Sequence, residues 1–155
     1  ILYDVKPDGQ LTGRMSKLKK GDYIYVSEPS GEFLCEKGEA TFIATGTGIA
    51  PFRSMILSGF GEDKKLIFGA RKLELFYFDK DFEEYFGKNY VKCCTGEEAD
   101  NVFKGRVTDY FRNLKEININ QKYYLCGRSE MVVELRDILI ERNVPFKNII
   151  AEIYF

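Results

Sequence analysis

From about residue 38 the chain alternates short apolar runs with segments whose apolar residues recur every three or four positions. The runs Thr41–Thr45, Lys65–Gly69, Tyr90–Cys94, Lys122–Cys126 and Asn148–Ile153 mostly lack a strict polar–apolar alternation. That is the pattern of strands covered on both faces, as in a parallel sheet. The spacing predicts helices over Pro51–Ser58, Asp79–Phe86, Val107–Asn113 and Glu130–Asn143. In the last, Val132, Leu135 and Leu139 line one face, flanked by Met131 and Ile138. Ser129 can cap its start, Glu130 suits its positive end, Arg142 suits its negative end, and Pro145 stops the chain beyond. Strands alternating with helices in this way define an α/β class, a doubly wound five-stranded parallel sheet. Ligands of such sheets sit beyond the carboxyl ends of the strands. Three loops therefore matter: those after Thr45 and Gly69, and the turn Cys126-Gly127-Arg128.

Residues 1–35 follow another pattern. Leu18-Lys19-Lys20-Gly21-Asp22 reads as a turn, Tyr23–Ser27 as a strand, and Glu28-Pro29-Ser30-Gly31 as a second turn. The expectation is a partial antiparallel β-barrel segment over residues 1–36, followed by the α/β domain over 37–155. The chain starts at Ile1, already in strand-like sequence, and is expected to be a piece of a longer protein.

The loop after Thr45 carries the strongest chemical signal. Gly46-Thr47-Gly48 exposes backbone amides with little side-chain bulk, and Pro51 suits the first turn of a helix because it has no N–H to leave unpaired. Amides at such a turn, reinforced by the positive end of a helix, suit a phosphate or pyrophosphate. The competing reading is a tight strand-to-helix turn with no ligand. The stretch is not a G-x-G-x-x-G fingerprint, because Phe52 and Arg53 follow Pro51, and it lacks the Lys-Ser/Thr ending of a P-loop. Gly69-Ala70-Arg71-Lys72 lies where dinucleotide folds meet the adenosine ribose, so Arg71 is a candidate for a 2′-phosphate. Taken alone, this is an ordinary solvated basic turn. Gly127 would let a ligand approach the backbone next to the polarizable Cys126, although such a cysteine is more often plain core. Glu152-Ile153-Tyr154-Phe155 ends the last strand with a carboxylate and two rings that can stack on a flat cofactor or simply pack.

Composition removes several alternatives. The formal net charge of −1 supplies no global field toward nucleic acid or an anionic membrane. No apolar run reaches the roughly 18 residues of a membrane-spanning helix, and no leader peptide is visible. Histidine is absent, and the four cysteines Cys35, Cys93, Cys94 and Cys126 match neither zinc nor iron–sulfur spacing, so no metal site is expected. The vicinal Cys93-Cys94 reads as two buried strand residues rather than a disulfide. Unpaired thiols suggest a reducing, cytoplasmic setting.

The ordered set Gly9-Gln10-Leu11-Thr12, Leu18–Asp22, Pro29–Phe33, Thr45–Pro51, Gly69-Ala70-Arg71, Lys104-Gly105-Arg106-Val107, Cys126-Gly127 and Glu152-Ile153-Tyr154 resembles the ferredoxin–NADP reductase superfamily over nearly the whole chain. The pattern is nearest to bacterial ferredoxin/flavodoxin–NADP reductases. The resemblance implies a flavin-binding barrel followed by an NADP-binding α/β domain, with FAD and NADP (or NAD) as cofactors and ferredoxin or flavodoxin as electron acceptor. Gly9, Leu11 and Thr12 match the part of the barrel that holds the FAD pyrophosphate. Thr45, Gly46, Thr47, Gly48 and Pro51 match the nicotinamide-dinucleotide pyrophosphate loop. Cys126, followed by Gly127, matches the thiol beside the nicotinamide. Glu152 matches a carboxylate tied to proton handling and nicotinamide placement. Tyr154 matches the ring on the isoalloxazine, with Phe155 extending the chain. Arg71 and Arg106 match cations of the 2′-phosphate site, but Thr95-Gly96-Glu97 stands where NADP-dependent relatives carry Ser-Arg-Glu. The R-x-Y-S flavin motif of the family is absent here, so this piece alone is expected to hold flavin weakly and to be inactive. The implied activity is hydride transfer from NAD(P)H to FAD, which needs no general base. The alternatives are an NADH-using reductase module of an oxygenase, or a fragment that only binds nucleotide.

Overall fold

In a computed structural model, residues 1–6, 8–28 and 30–154 are described, without the side chain of Tyr154. Pro7, Pro29 and Phe155 lie outside the described residues, and with them the expected role of Phe155 and part of the turn at 28–31. Contacts divide the chain into two units, Ile1–Leu34 and Cys35–Phe155.

The second unit is built on six strands: β1 (Ala40–Thr45), β2 (Lys64–Ala70), β3 (Tyr90–Cys94), β4 (Val102–Lys104), β5 (Lys122–Arg128) and β6 (Ile149–Tyr154). Their order across the sheet is β4-β3-β2-β1-β5-β6, and every neighbouring pair is parallel. The α/β parallel architecture is the expected one. The sheet has one strand more than predicted, because Val102–Lys104 adds to the edge beside β3. Three residues are too few for a readable pattern, and this strand exists only through its pairing.

Strand alternation sends successive residues to two layers. Ile43, Ile67, Cys93, Tyr123 and Leu125 join Val107 and Phe111 of helix α4 (Val107–Asn113) and Val132, Leu135 and Leu139 of helix α5 (Ser129–Glu141) in one buried cluster. On the other face Phe42 stacks on Phe52 of helix α2 (Ile49–Met55) with ring centroids 4.7 Å apart, and meets Tyr124 edge-on at 5.7 Å. Phe68 there meets Phe76 edge-on, and helix α3 (Asp79–Phe86) buries Phe82 and Phe86. The continuous apolar strands are thus explained by burial on both sides.

The predicted bounds of α3, α4 and β3 coincide with those observed. Helix α2 starts two residues earlier than expected and gives way to a π-turn, Ile56–Phe60, in which Gly59 adopts a left-handed φ of 85°. In α5 the cap position is Arg128 rather than Ser129, whose hydroxyl donates to Glu130. Arg142 closes that helix, and its guanidinium donates to the carbonyls of Leu114 and Lys115 at 2.7 and 3.1 Å. Lys92 of β3 ties α3 to the sheet through Asp79 (3.1 Å) and Glu83 (2.6 Å). Burial alone would lower its pKa, but the two carboxylates outweigh that and raise it.

The strand expected at Tyr23–Ser27 is not formed. The described residues of the first unit carry one short helix, α1 (Thr12–Met15), no strand, and no buried residue. A strand needs a neighbour for its N–H and C=O groups, and none is paired with it here.

Candidate functional site

Sheet order decides where the loops meet. Strands β2, β3 and β4 follow β1 outward on one side, while β5 and β6 lie on the other. The direction of winding reverses between β1 and β5, and a crevice at such a switch point is where open α/β sheets bind ligands.

At this point the turn Gly46–Gly48 is pressed onto the end of β5. A Cβ on Gly48 would collide with the carbonyl of Cys126, 2.6 Å from its carbon, and would lie 2.7 Å from Gly127 Cα. Gly127 has φ +144°, and a Cβ there would strike Thr45 Oγ1 and come within 2.9 Å of the Thr45 carbonyl oxygen. The two glycines let the two chain crossings touch backbone to backbone. Thr45 fastens them, since its hydroxyl oxygen accepts the Arg128 amide at 3.3 Å. Replacing Thr45 with valine keeps the shape and removes this acceptor. The expected cost is about 1 kcal/mol, with faster hydrogen exchange at the Arg128 amide as the local readout. Unchanged exchange there would contradict the role given to the hydroxyl.

Gly46 behaves differently. It has φ +56°, and no atom lies within 4 Å of where its Cβ would stand. The turn therefore has one packed side, at Gly48, and one open side, at Gly46. Thr47 between them is half-buried. Pro51 is the third residue of α2, in the first turn, where amides lack intrahelical acceptors. Phe52 and Ile49, fully buried, anchor that helix beneath the turn. Among the described residues no group of three or more His, Cys, Asp or Glu side chains converges.

Cys126 is fully buried and is registered with Ala44 on β1 and Glu152 on β6. Glu152 is half-buried, so the carboxylate and the thiol residue stand side by side on adjacent strands. Tyr154 is registered with Arg128, two residues further along, and its ring is outside the described atoms.

Arg71 and Arg106 line the same carboxyl edge on the other side of β1, after β2 and before α4, and both are exposed. The Arg106 amide donates to Asp109 at 3.0 Å, which fixes the start of α4. Gly69, quoted in the sequence pattern but not singled out, is what lets that start approach: a Cβ on it would lie 2.5 Å from Val107 Cγ2 and 3.1 Å from Thr45 Cγ2. A glycine closing a buried strand is the signal that could have found it. Beneath this edge burial pushes the Cys93 thiol up to about 12, with smaller contributions from Asp109 and Cys94. This thiol is inert core. In the first unit, Thr12 Oγ1 accepts the Lys6 amide at 3.1 Å, and Gly9 fits against Lys6 and Thr12 with no room for a Cβ. Leu11 is exposed.

A parallel α/β sheet whose winding reverses beside a glycine turn has the architecture of dinucleotide-binding domains. Residues 42–137, more than half of the chain, match the oxidoreductase NAD-binding domain family, and the chain belongs to it. A probable dihydroorotate dehydrogenase B (NAD(+)) electron transfer subunit of Pyrococcus furiosus is 32% identical over 142 residues, covering 90% of this chain and 55% of that protein. The chain thus spans about half the length of this relative. Among solved structures, the flavohemoglobin of Malassezia yamatoensis with bound FAD and heme aligns at TM-score 0.75 and 19% identity, over 99% of this chain and 43% of that one. The ferredoxin-NADP+ reductase of Plasmodium falciparum aligns at 0.64 and 20% identity, over 94% and 65%. Both likenesses concern the fold. Among the described residues no helix is long and apolar enough to cross a membrane.

Proposed function

We propose that this chain is the nicotinamide-nucleotide half of a flavin-dependent reductase. The observation that carries the reading is the seating of Gly46–Gly48 on Cys126–Gly127 at the switch point. The open side at Gly46 fits a group that needs amide donors and close backbone approach, which is what a pyrophosphate requires. In this reading Thr45, Gly46, Thr47, Gly48 and Pro51 hold the pyrophosphate. Arg71 and Arg106 face the adenosine end. Cys126, Gly127 and Glu152 border the nicotinamide. When bound, the reduced nicotinamide supplies a hydride and a flavin accepts it; the protein contributes placement and exclusion of water.

For FAD, the fit on this chain is partial. Gly9, Leu11 and Thr12 form a tight turn, yet the described residues around them bury nothing. The flavin half is assigned by family resemblance, with residues 1–36 as the end of that domain and Tyr154 and Phe155 as candidates to cover the ring. The proposed electron acceptor is ferredoxin, flavodoxin or another one-electron carrier. The Pyrococcus relative, an electron transfer subunit named for NAD(+), favours a second reading in which a partner enzyme takes the electrons. Cys35, Cys93 and Cys94 as thiols suit the cytoplasm, the setting proposed.

Calorimetric titration of this chain with NADH, NADPH and FAD tests the core of the proposal. The expected result is saturable binding of at least one reduced nicotinamide dinucleotide and weak or no retention of FAD. Absence of heat with both dinucleotides at millimolar concentration overturns the reading.

A further inference from the structure

A cleft of about 460 Å³ opens between helices α2 and α3, a volume in the range of small-ligand pockets. Arg53, Ile56 and Leu57 line it from α2 and the π-turn that follows, and Asp81, Phe82, Glu84 and Tyr85 line it from α3. Residues 53, 56 and 57 are three and four positions apart, as are 81, 84 and 85, so each set shares a helix face. The Arg53 guanidinium reaches across. It donates to Asp81 at 3.3 Å and lies 4.3 Å from the centre of the Phe78 ring. At the other end Gly61 has no room for a Cβ, which would stand 2.7 Å from the Tyr85 ring, so that ring lies against the end of the π-turn. Phe82 is buried, whereas Leu57 is 71% and Tyr85 49% exposed. Two irregularities flank the cleft. One is the π-turn itself, a feature found mostly at functional sites. The other is the left-handed φ of 60° at Phe78, which a bulky residue seldom adopts.

The polar groups differ in how far they are satisfied. An arginine carries five N–H donors in a planar fork. Arg53 uses one on Asp81, and its guanidinium makes no other hydrogen bond among the described residues. Asp81 meets it through Oδ2. Glu84, one turn further along α3, enters no ion pair among the described residues. Asp81 and Glu84 stand about 5–6 Å apart at Cβ, which leaves room for an ammonium between them. A simple anion in the cleft would face these two carboxylates, and a simple cation would face the guanidinium. A ligand that carries both charges on neighbouring atoms meets neither penalty. Beside the charged groups the wall is apolar, formed by Ile56, Leu57, Phe82 and Tyr85.

We infer that this cleft binds a free α-amino acid with a large apolar side chain. The ligand carboxylate takes the remaining donors of Arg53, its ammonium stands between Asp81 and Glu84, and its side chain covers Leu57 and Tyr85. None of these residues belongs to the turns at the carboxyl edge of the sheet, so the site does not depend on the nucleotide reading. Asp81 and Glu84 are exposed and Arg53 is half-buried, so solvent screens the charges and the affinity is low. The expected dissociation constant for L-phenylalanine is roughly 1 mM.

The test follows the backbone amide chemical shifts of this chain during titration with L-phenylalanine, with phenethylamine, which lacks the carboxylate, and with hydrocinnamate, which lacks the ammonium. The same spectra show that each variant is folded. Saturable shifts are expected in α2, the π-turn and α3. Either analogue should bind about fivefold more weakly than the amino acid, the upper end of the range for one exposed ion pair. Leu57→Ser should weaken all three ligands. Glu84→Gln should weaken L-phenylalanine about threefold and leave hydrocinnamate no weaker, because that ligand has no ammonium to lose. Equal affinity for the three ligands, or shifts centred outside these elements, overturns the inference. So does a failure to approach saturation at ten times the expected constant, and so does a Glu84→Gln protein that binds L-phenylalanine and hydrocinnamate with equally reduced affinity.

Discussion

Replacing Gly48 with valine is expected to lower the thermal midpoint by roughly 10 °C, corresponding to about 3 kcal/mol of overpacking. The size of the effect follows from what the new side chain meets. Its Cβ would press on the Cys126 carbonyl and Gly127 Cα, which are backbone atoms of a central, fully paired strand. A flexible side chain could swing away, but β5 cannot move without breaking its pairing with β1 or β6. The informative control is Gly46→Ala. That position points into open space, so the expected cost is about 1–2 kcal/mol, from the left-handed backbone alone. The new methyl group instead intrudes on the proposed pyrophosphate face, so Gly46→Ala should weaken NADH binding far more than it weakens the fold. Thermal melts and NADH titrations of the two variants separate packing from binding. A Gly48→Val protein as stable as the parent would show that the turn is not seated on β5.

The second large effect is expected in alkali. Burial holds Cys93 as the neutral thiol and raises its pKa from 9.0 to about 12. The unfolded chain releases this proton near pH 9, and the folded chain only near 12. Between these values the unfolded state binds fewer protons, so stability falls as pH rises, by about 1.4 kcal/mol per pH unit for one such group. Below pH 9 the contribution is fully present. By pH 12 the accumulated loss is about 4 kcal/mol, a large part of the 5–15 kcal/mol typical of a domain. Burial also raises Tyr90, Tyr123 and Tyr124 from their ordinary value of 10, steepening the fall above pH 10. Denaturant midpoints measured from pH 8 to 11 should show a plateau and then a decline, and Cys93→Ala should remove about one proton's worth of the slope. An identical pH profile in that variant would mean that Cys93 titrates normally in the folded protein.

The elements that were legible from sequence are those whose signal is local. Helices α3 and α4 could be bounded to the residue because aromatic and apolar positions recur with helical spacing between turn residues. Strands β1, β2, β3 and β5 could be read as buried runs because a sheet covered on both faces leaves no regular polar–apolar alternation along them. The glycines at 46, 48 and 127 could be singled out as turn residues at strand ends, while the packing of Gly48 against the end of β5 could not. By contrast, Tyr23–Ser27 has the composition of a strand and forms none among the described residues, since composition does not supply a pairing partner. The cap position expected at Ser129 falls at Arg128, which makes no side-chain cap hydrogen bond and whose amide donates to Thr45, a residue 83 positions away in the chain.

What the sequence determined by itself was the class of fold, the order of its elements and the residue types available at the carboxyl edge, because periodicity and turn chemistry act over a few residues. Only the tertiary structure decided which turns meet. It placed β1 beside β5, so that Gly48 and Gly127 serve each other's backbone, and it registered Cys126 with Glu152. It also changed the meaning of Gly96. Read in the chain, this residue stands where related sequences carry an arginine; in the fold, a Cβ on it would meet the Arg71 carbonyl oxygen, and the neighbouring Glu97 carboxylate accepts the Leu73 amide. Contacts between residues dozens of positions apart depend on strand order and register, and those are settled by packing the whole sheet rather than by any one segment.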